Sequence, residues 1–396
     1  MSSEVVSEVQ VSLKELPMDT WMDHLPCALW DVPLRNLAIP GSHNAITYCL
    51  DRSDRSPVDL TQPDLLQKLD KYMKPLIRPF VYKWAVTQEA TVKEQLDCGV
   101  RYLDLRIAHR PHDTSTDLYF YHGVYTTLTV EVGYYGVRIA HRPHDTSTDL
   151  YFYHGVYTTL TVEVGYYGVR IAHRPHDTST DLYFYHGVYT TLTVETVLQE
   201  IRSWLDVHTR EVVLLSFSHF LGLNQDLHTG LVSTIRTIFT SRLCPTTEVV
   251  TLRNLWTLGY QVIVSYEHSM VSLYSDLWPH IPYWWANKCK AEALIEEFEH
   301  RKQHGRPGGF FVTGINLTED LKYICSHPTE SLKDLVMSTS PALLSWVRGQ
   351  SPGSDSRSLN IIAGDFVSES HFVPTVIALN QHLVRCTGPC DVSGGN

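Results

Sequence analysis

The sequence predicts an α/β chain folded as an incomplete or distorted TIM-type (β/α) barrel with an inserted tandem repeat. Three observations lead there. Short apolar, β-branched runs alternate with helical patterns, which builds βα units around a largely parallel sheet. Seven or so such units in one chain favour a closed or nearly closed barrel. Between Arg106 and Glu195 a string with a period of 32 residues recurs letter for letter, interrupting the alternation.

Taken in order, residues 1–20 read as a polar, acidic tail. They lack the apolar core that export needs, and Ser2 stands where myristoylation needs glycine. The first strand is expected at 34–39 (LRNLAI), leading into PGSHN. TVKEQLDCG (91–99) reads as a helix, with Thr91 and Glu94 in capping-box spacing and Gly99 at its end. VRYLDL (100–105) is the next strand and LYFY (118–121 and its copies) follows it. TVLQEIRSWLDVH (196–208) places Val197, Leu198, Ile201 and Leu205 on one face of a helix. Strands are expected again at 212–217, 261–266, 309–315 and 359–366, and VPTVIALNQHLV (373–384) reads as the last helix. The barrel then accounts for 21–385, with 386–396 as a C-terminal tail.

The repeat begins at Arg106, Arg138 and Arg170, and LYFYHGVYTTLTVE falls at 118–131, 150–163 and 182–195. Solenoid repeats drift and carry atypical caps, whereas these copies keep every letter. A recent tandem duplication, or a gene assembled from duplicated pieces, explains that better than a β-solenoid. Removing two 32-residue units from 396 leaves 332 residues, in which VRYLDLRIAHRP…LYFYHGVYTTLTVE runs straight into the helix at Thr196. Residues 132–195 are therefore read as inserted surplus copies.

Composition sets outer limits. The chain is 43% hydrophobic and 19% charged, ordinary for a globular protein. A net charge of −11 with no basic stripe argues against nucleic-acid binding and makes any contact with anionic lipid local. No run of about 18 apolar residues suggests a transmembrane helix. Eight scattered cysteines suit reduced thiols in a cytoplasmic protein, and the CTGPC tail has the wrong spacing for a metal claim.

Barrel enzymes carry their reactive side chains at the C-terminal ends of the strands. Just there the chain offers His43 and Asn44, Asp104 and Arg106, then the histidine of YHG in each copy (His122, His154 and His186). Further on come Ser218 and His219, Tyr266 and Glu267, and finally Asp365. Two histidines, an arginine and an aspartate at one mouth form a general acid–base set, and the arginine's planar fork suits a phosphate. The structural alternatives are an Arg106 that only partners Asp104 and an Asp365 that only caps its segment. Trp284 and Trp285 read as a pair buried in a loop, with a membrane-facing aromatic pair as the alternative.

LAIPGSHNAITYCL, CGVRYLDLR, YFYHG and NIIAGDF together resemble the phosphatidylinositol-specific phospholipase C X-domain family. With LWPHIPYWWANK and GRPGGFFVTGINLT, the chain is similar to the family's single-domain vertebrate members from about Trp21 to Arg385. The resemblance implies a phosphoric diester hydrolase cleaving inositol phospholipid at a membrane surface into diacylglycerol and inositol (cyclic) phosphate. A cytoplasmic protein only transiently on the membrane is the implied setting. By the same resemblance His43 is the general base, Arg106 steadies charge on the phosphate oxygens, and Asp365 orients the base. Asn44, Asp104, Ser218, His219 and Tyr266 are expected to shape the substrate pocket. The YHG histidine is the general acid. Chain connectivity favours His122, which follows Arg106 by 16 residues, over His186, whose copy flows into the helix at Thr196. His154 ranks third. No metal or other cofactor is expected, because Arg106 puts a permanent charge where calcium-dependent relatives have an acidic residue. Two other readings compete: a lipid-binding or scaffolding member without turnover, and a metal-dependent glycerophosphodiester phosphodiesterase.

Overall fold

The computed structural model describes residues 16–50, 79, 81–109, 188–319 and 321–384, together with five short strands between 128 and 186. The N-terminal stretch 1–15, His122, His154 and the CTGPC tail lie outside the described residues.

The predicted alternation is realised as a curled parallel sheet. Its strands are β1 (Ile39–Ser42), β2 (Tyr102–His109), β9 (Val213–Leu221), β10 (Val262–Tyr266), β11 (Tyr283–Trp285), β12 (Val312–Gly314) and β13 (Ile361–Gly364). They lie in the order β10-β9-β2-β1-β13-β12-β11, every neighbouring pair parallel. The first and last strands of the chain's sheet, β1 and β13, are thus side by side, in the register Ile39↔Ile361 to Ser42↔Gly364. No pairing of β10 with β11 is seen among the described residues, so the barrel is incomplete.

Helices cover the outside where the sequence signals them. α1 (Val92–Asp97) has the full Thr91/Glu94 capping box. Gly99 follows at φ 108°, where a Cβ would meet Val373 Cγ1 at 2.8 Å. α2 (Val194–Val207) starts two residues earlier than expected, capped by the Thr193 hydroxyl, and buries Val197, Leu198, Ile201 and Leu205 as its spacing requires. α3 (Gln225–Phe239), α4 (Leu252–Leu258), α5 (Ala291–Gln303), α6 (Leu321–Ser326) and α7 (Leu332–Arg348) fill the later crossovers.

The structure corrects several element boundaries. Leu34–Asn36 is a 3₁₀ turn opened by Pro33, and the strand expected at 34–39 begins only at Ile39. Leu34 and Leu37 are both fully buried, a spacing that a turn satisfies and a strand does not. The final helix splits into α8 (Phe372–Ala378) and α9 (Gln381–Val384). At the break, buried Asn380 accepts from Ala38 N (2.8 Å) and donates to Ala38 O (2.9 Å), stitching the C-terminus to the entry of β1. Trp284 and Trp285 lie in β11, not in a loop. Strand alternation separates them: Trp284 packs near Phe298 and Phe311, while Trp285 is 48% exposed.

The repeats behave unequally. β7 (Leu182–His186) and β8 (Val188–Thr193), both from the third copy, join the main sheet. β7 pairs antiparallel with the end of β2, Ile107↔Phe184 to His109↔Leu182, and β8 pairs with β7. Leu50 bridges Thr190, and the Thr191 hydroxyl donates to Cys49 O at 3.1 Å. The expectation that 132–195 stands apart from the barrel is corrected for 182–193, because this copy leads directly into α2. From the first and second copies, β3 (Leu128–Val130) pairs with β6 (Leu160–Val162). Likewise β4 (Arg138–Ala140) pairs with β5 (Tyr151–Tyr153), each pair forming a separate two-stranded sheet. Among the described residues no helix is long and apolar enough to cross a membrane.

Candidate active site

Parallel register brings the residues just after β1 and β13 together with residues within β2 and β9 to one end of the sheet. On β2, Tyr102, Asp104 and Arg106 face inward, and Asp104 lies beside Ser216 and Arg106 beside Ser218 on β9. With His43 and Asp365 they line a cavity of about 360 Å³, a size that suits a small polar headgroup.

His43 is held on all sides. Its backbone N–H donates to Gly364 O at 3.1 Å, and the Gln88 side chain donates to both His43 O (3.0 Å) and Gly364 O (2.9 Å). The ring Nδ1 lies 2.7 Å from Asp365 Oδ1. An ionised carboxylate only accepts, so Nδ1 carries the proton. At the other ring nitrogen, Arg106 Nη2 donates at 3.0 Å and Asn44 Nδ2 at 3.1 Å. Arginine has no acceptor, so Nε2 presents a lone pair. The imidazole is set as a neutral base facing the cavity.

Asp104 organises the neighbouring wall. It accepts from Asn44 N (3.2 Å) and the Ser218 hydroxyl (3.4 Å), and its Oδ2 is 3.6 Å from Arg106 Nε. Burial pushes its carboxyl up, but the Arg106 charge and the Asn44 N–H outweigh this and leave its pKa below the ordinary value. Beyond Ser218, His219 Nδ1 is 3.0 Å from the Ser218 hydroxyl, and its backbone N–H donates to Glu267 Oε2 at 2.8 Å. Burial and the Arg106 charge hold the His219 imidazole below its usual pKa.

Three non-glycine residues at this end have left-handed backbones: Asn44 (φ 43°), His219 (φ 51°) and Phe366 (φ 48°). Each directly follows a residue that lines the cavity, His43, Ser218 and Asp365. Such conformations cost on the order of 1–3 kcal/mol each and persist where surrounding contacts enforce them.

Of the site residues read from sequence, His43, Asn44, Asp104, Arg106, Ser218, His219 and Asp365 come together here. Tyr266 does not, and that expectation is corrected. On β10 it is Ser265 that pairs with inward-facing Ser216, whereas Tyr266 pairs with Phe217 on the outer face. There Tyr266 is fully buried, its hydroxyl 2.8 Å from His228 Nδ1. His186 ends β7, which runs back along β2 toward Arg106.

Sequence reasoning missed Tyr283, His280, Asn316 and Glu319. Tyr283 lies with its ring centroid 6.2 Å from that of His43, and its hydroxyl donates to Asn316 Oδ1 at 2.7 Å. Gly314 permits this, since a Cβ there would collide with the Tyr283 ring. Burial raises the Tyr283 phenol well above its ordinary pKa, so it stays a neutral donor. Glu319 is pushed up to about 7, by burial first and then by the Asp365 charge, against its own backbone N–H. Asn316 and Glu319 follow β12, so the post-strand rule applied to GFFVTGINLTE would have found them.

The residues at this mouth do not suit a divalent cation. The Arg106 guanidinium sits beside both Asp104 and His43, so an ion there would meet a fixed positive charge. Among the described residues no three histidine, cysteine or acidic groups converge to hold a metal.

No family model matches the chain. It is 44% identical over 369 residues to PI-PLC X domain-containing protein 1 of Homo sapiens, covering 93% of this chain and 94% of the human one. Over 375 residues it is 31% identical to PI-PLC X domain-containing protein 3 of Danio rerio, covering 93% and 95%. Among solved structures, the phosphatidylinositol-specific phospholipase C of Listeria monocytogenes superposes with a TM-score of 0.52 at 15% identity, covering 92% of this chain and 99% of that one. A mutant of the Staphylococcus aureus enzyme gives 0.53 at 11% identity, covering 93% and 99%. At these identities the two bacterial structures establish the shared fold and nothing finer.

Proposed function

The chain belongs to the family of PI-PLC X domain-containing proteins, and from that premise we propose that it is a phospholipase C-type phosphoric diester hydrolase. Its substrate is inositol phospholipid, met at a membrane surface by a cytoplasmic protein that associates only transiently. The observation that carries this reading is His43, fixed by Asp365 through Nδ1 while Nε2 offers its lone pair beside Arg106.

In the proposed reaction His43 Nε2 takes the proton of the inositol 2-hydroxyl, and the oxygen attacks the adjacent phosphorus. The bond to the glycerol oxygen breaks, giving diacylglycerol and a cyclic inositol phosphate. Imidazole suits this step because its unperturbed pKa of about 6.5 is near working pH. Arg106 supplies donors to the non-bridging oxygens as charge builds there. Asp365 keeps the tautomer and supports the imidazolium once it forms. Tyr283, Asn44, Asp104, Ser218 and His219 shape the pocket.

We assign the general acid to His186 in preference to His122. Support comes from the third copy's strand β7, which hydrogen-bonds to β2, the strand of Arg106, and continues through β8 into α2. The proposed chemistry runs without metal, because the Arg106 guanidinium supplies the positive charge that an ion would bring.

Cleavage of phosphatidylinositol vesicles, with and without chelator, tests the proposal. Turnover is expected to survive chelation and to fall by about 10²–10⁴-fold in His43→Ala. Metal-dependent turnover would favour the glycerophosphodiester phosphodiesterase reading. Vesicle binding without turnover would favour a lipid-binding or scaffolding protein.

A further inference from the structure

We propose that Gln88 is a positioning residue: its side-chain amide locks the loop that carries His43 against the loop that carries Asp365. The inference rests on the proposed reaction for the meaning of that pair, and on geometry alone for the lock.

His43 and Asp365 are 322 positions apart in the chain and meet just past the ends of neighbouring strands. The register of β1 on β13 runs as far as Ser42↔Gly364, and one more backbone bond, His43 N–H to Gly364 O at 3.1 Å, extends it. Beyond that the sheet no longer holds them. Asn44 (φ 43°) and Phe366 (φ 48°) are left-handed, a conformation that cannot continue a strand. Yet the Nδ1 to Oδ1 contact of 2.7 Å forms here. Hydrogen bonds weaken steeply with stretch and misalignment, so this one needs both backbones fixed.

Gln88 supplies the fixing. It is fully buried, three residues before the Thr91 cap of α1. Its Nε2 donates to His43 O at 3.0 Å and to Gly364 O at 2.9 Å, while its Oε1 accepts from Val367 N–H at 3.2 Å. One amide thus grips the peptide of the base and the chain on both sides of Asp365. Two carbonyls facing the nitrogen and one N–H facing the oxygen leave a single orientation for the group. Thr87 adds to the grip. Its carbonyl accepts from Phe366 N–H at 2.7 Å, and its hydroxyl lies 3.1 Å from both His43 O and Asn44 O. The Thr47 hydroxyl anchors the segment in turn, accepting from the N–H groups of Thr87 and Gln88, each at 2.9 Å.

Two substitutions isolate the amide. Gln88→Met keeps the length of the side chain and removes its hydrogen bonds. Gln88→Glu keeps the shape, but an ionised carboxylate only accepts and would face two carbonyls. In the unaltered full-length protein, the Nδ1–H that His43 donates to Asp365 is expected as a far-downfield proton resonance in NMR, identified by its loss in His43→Ala. Both Gln88 variants should broaden or lose that resonance. Each should also lower kcat on phosphatidylinositol vesicles by about 10²-fold, the cost of a misplacement near 1 Å, with little change in KM.

A Gln88 that only stabilises the fold would lower the melting temperature and leave the resonance and kcat unmoved well below melting, and that result overturns the proposal. So does absence of the resonance from the unaltered protein. If neither variant folds, amide hydrogen exchange in the unaltered protein decides. The Val367 N–H is expected to exchange as slowly as the His43 N–H of the ladder, and fast exchange at Val367 overturns the lock. Absence of turnover in the unaltered protein removes the proposed hydrolase, and the resonance then decides the lock by itself.

Discussion

Two arginines five residues apart show what distinguishes the two ends of this barrel. Arg101 precedes β2 and its side chain is wholly buried. Its Nε donates to Glu211, Nη1 to the carbonyls of Leu96 and Val100, and Nη2 to those of Met18 and Asp19. All five of its N–H groups have partners. Arg106, near the other end of the strand, is 24% exposed. Its Nε makes no hydrogen bond, and at 3.6 Å the Asp104 carboxylate is an ion pair without one. The same side chain is complete where it holds the fold together and incomplete where an anionic ligand would enter. Ser42, Asn44 and Asp365 each keep a buried polar atom unpaired at that same end.

Glu211→Ala is the strongest way to break this contrast. It strands the Arg101 guanidinium in the core, and breaking a buried pair costs about 3–5 kcal/mol. The expected outcome in urea titration is a loss of unfolding free energy of that size, read as a lower midpoint at unchanged slope, with little change in vesicle cleavage well below the melting temperature. Loss of cleavage with stability intact would mean the two ends are not separate in role.

Arg106→Lys probes the opposite end. Lysine keeps a positive charge beside Asp104 but lacks the planar fork. Cleavage should drop by about 10²-fold, the scale of losing one oriented donor to a developing oxyanion, while thermal unfolding shifts little. A large fall in melting temperature would recast Arg106 as a structural partner of Asp104.

The smallest effect sharpens the contrast through pH. The Glu319 carboxyl holds its proton up to about pH 7 in the folded protein, above its ordinary 4.5. The unfolded chain therefore ionises first as pH rises, and stability falls between those two values and stays lower above them. Glu319→Gln removes that penalty, so it should raise the melting temperature at pH 8 by a few degrees (roughly 2–4 °C per kcal/mol) and leave it unchanged at pH 4. An equal gain at both pH values would show that charge is not the cause.

Much of the site was legible because its residues lie within or just after strands that a sequence marks well. SHN after an apolar run, LDLR within one and AGDF at another delivered His43, Asn44, Asp104, Arg106 and Asp365 to one mouth. Tyr266 failed for a physical reason. In VIVSY both faces of the strand are buried, so no polar alternation tells which side chains point inward. The inward one is Ser265. Tyr283 was missed because β11 spans only three residues, too few for a periodic signal.

By itself, the sequence determined the alternation of strands and helices, the parallel sheet they imply, and the chemical kinds of residue gathered at the strand ends. Each of these depends on local pattern and on chain order, which the letters contain. It was silent on which copy of the repeat belongs to the barrel. Any 64-residue excision from 106–169 through 132–195 leaves the same 332-residue chain, so the copies are indistinguishable as text and have the same propensities. The tertiary structure breaks that degeneracy. The third copy is continuous with α2 and pairs β7 onto the end of β2, whose last residues Arg106–His109 open the first copy, while the strands described between 128 and 162 pair only with one another. Identical segments differ only in what they are tethered to and what edge is left open for them, and both are properties of the folded chain.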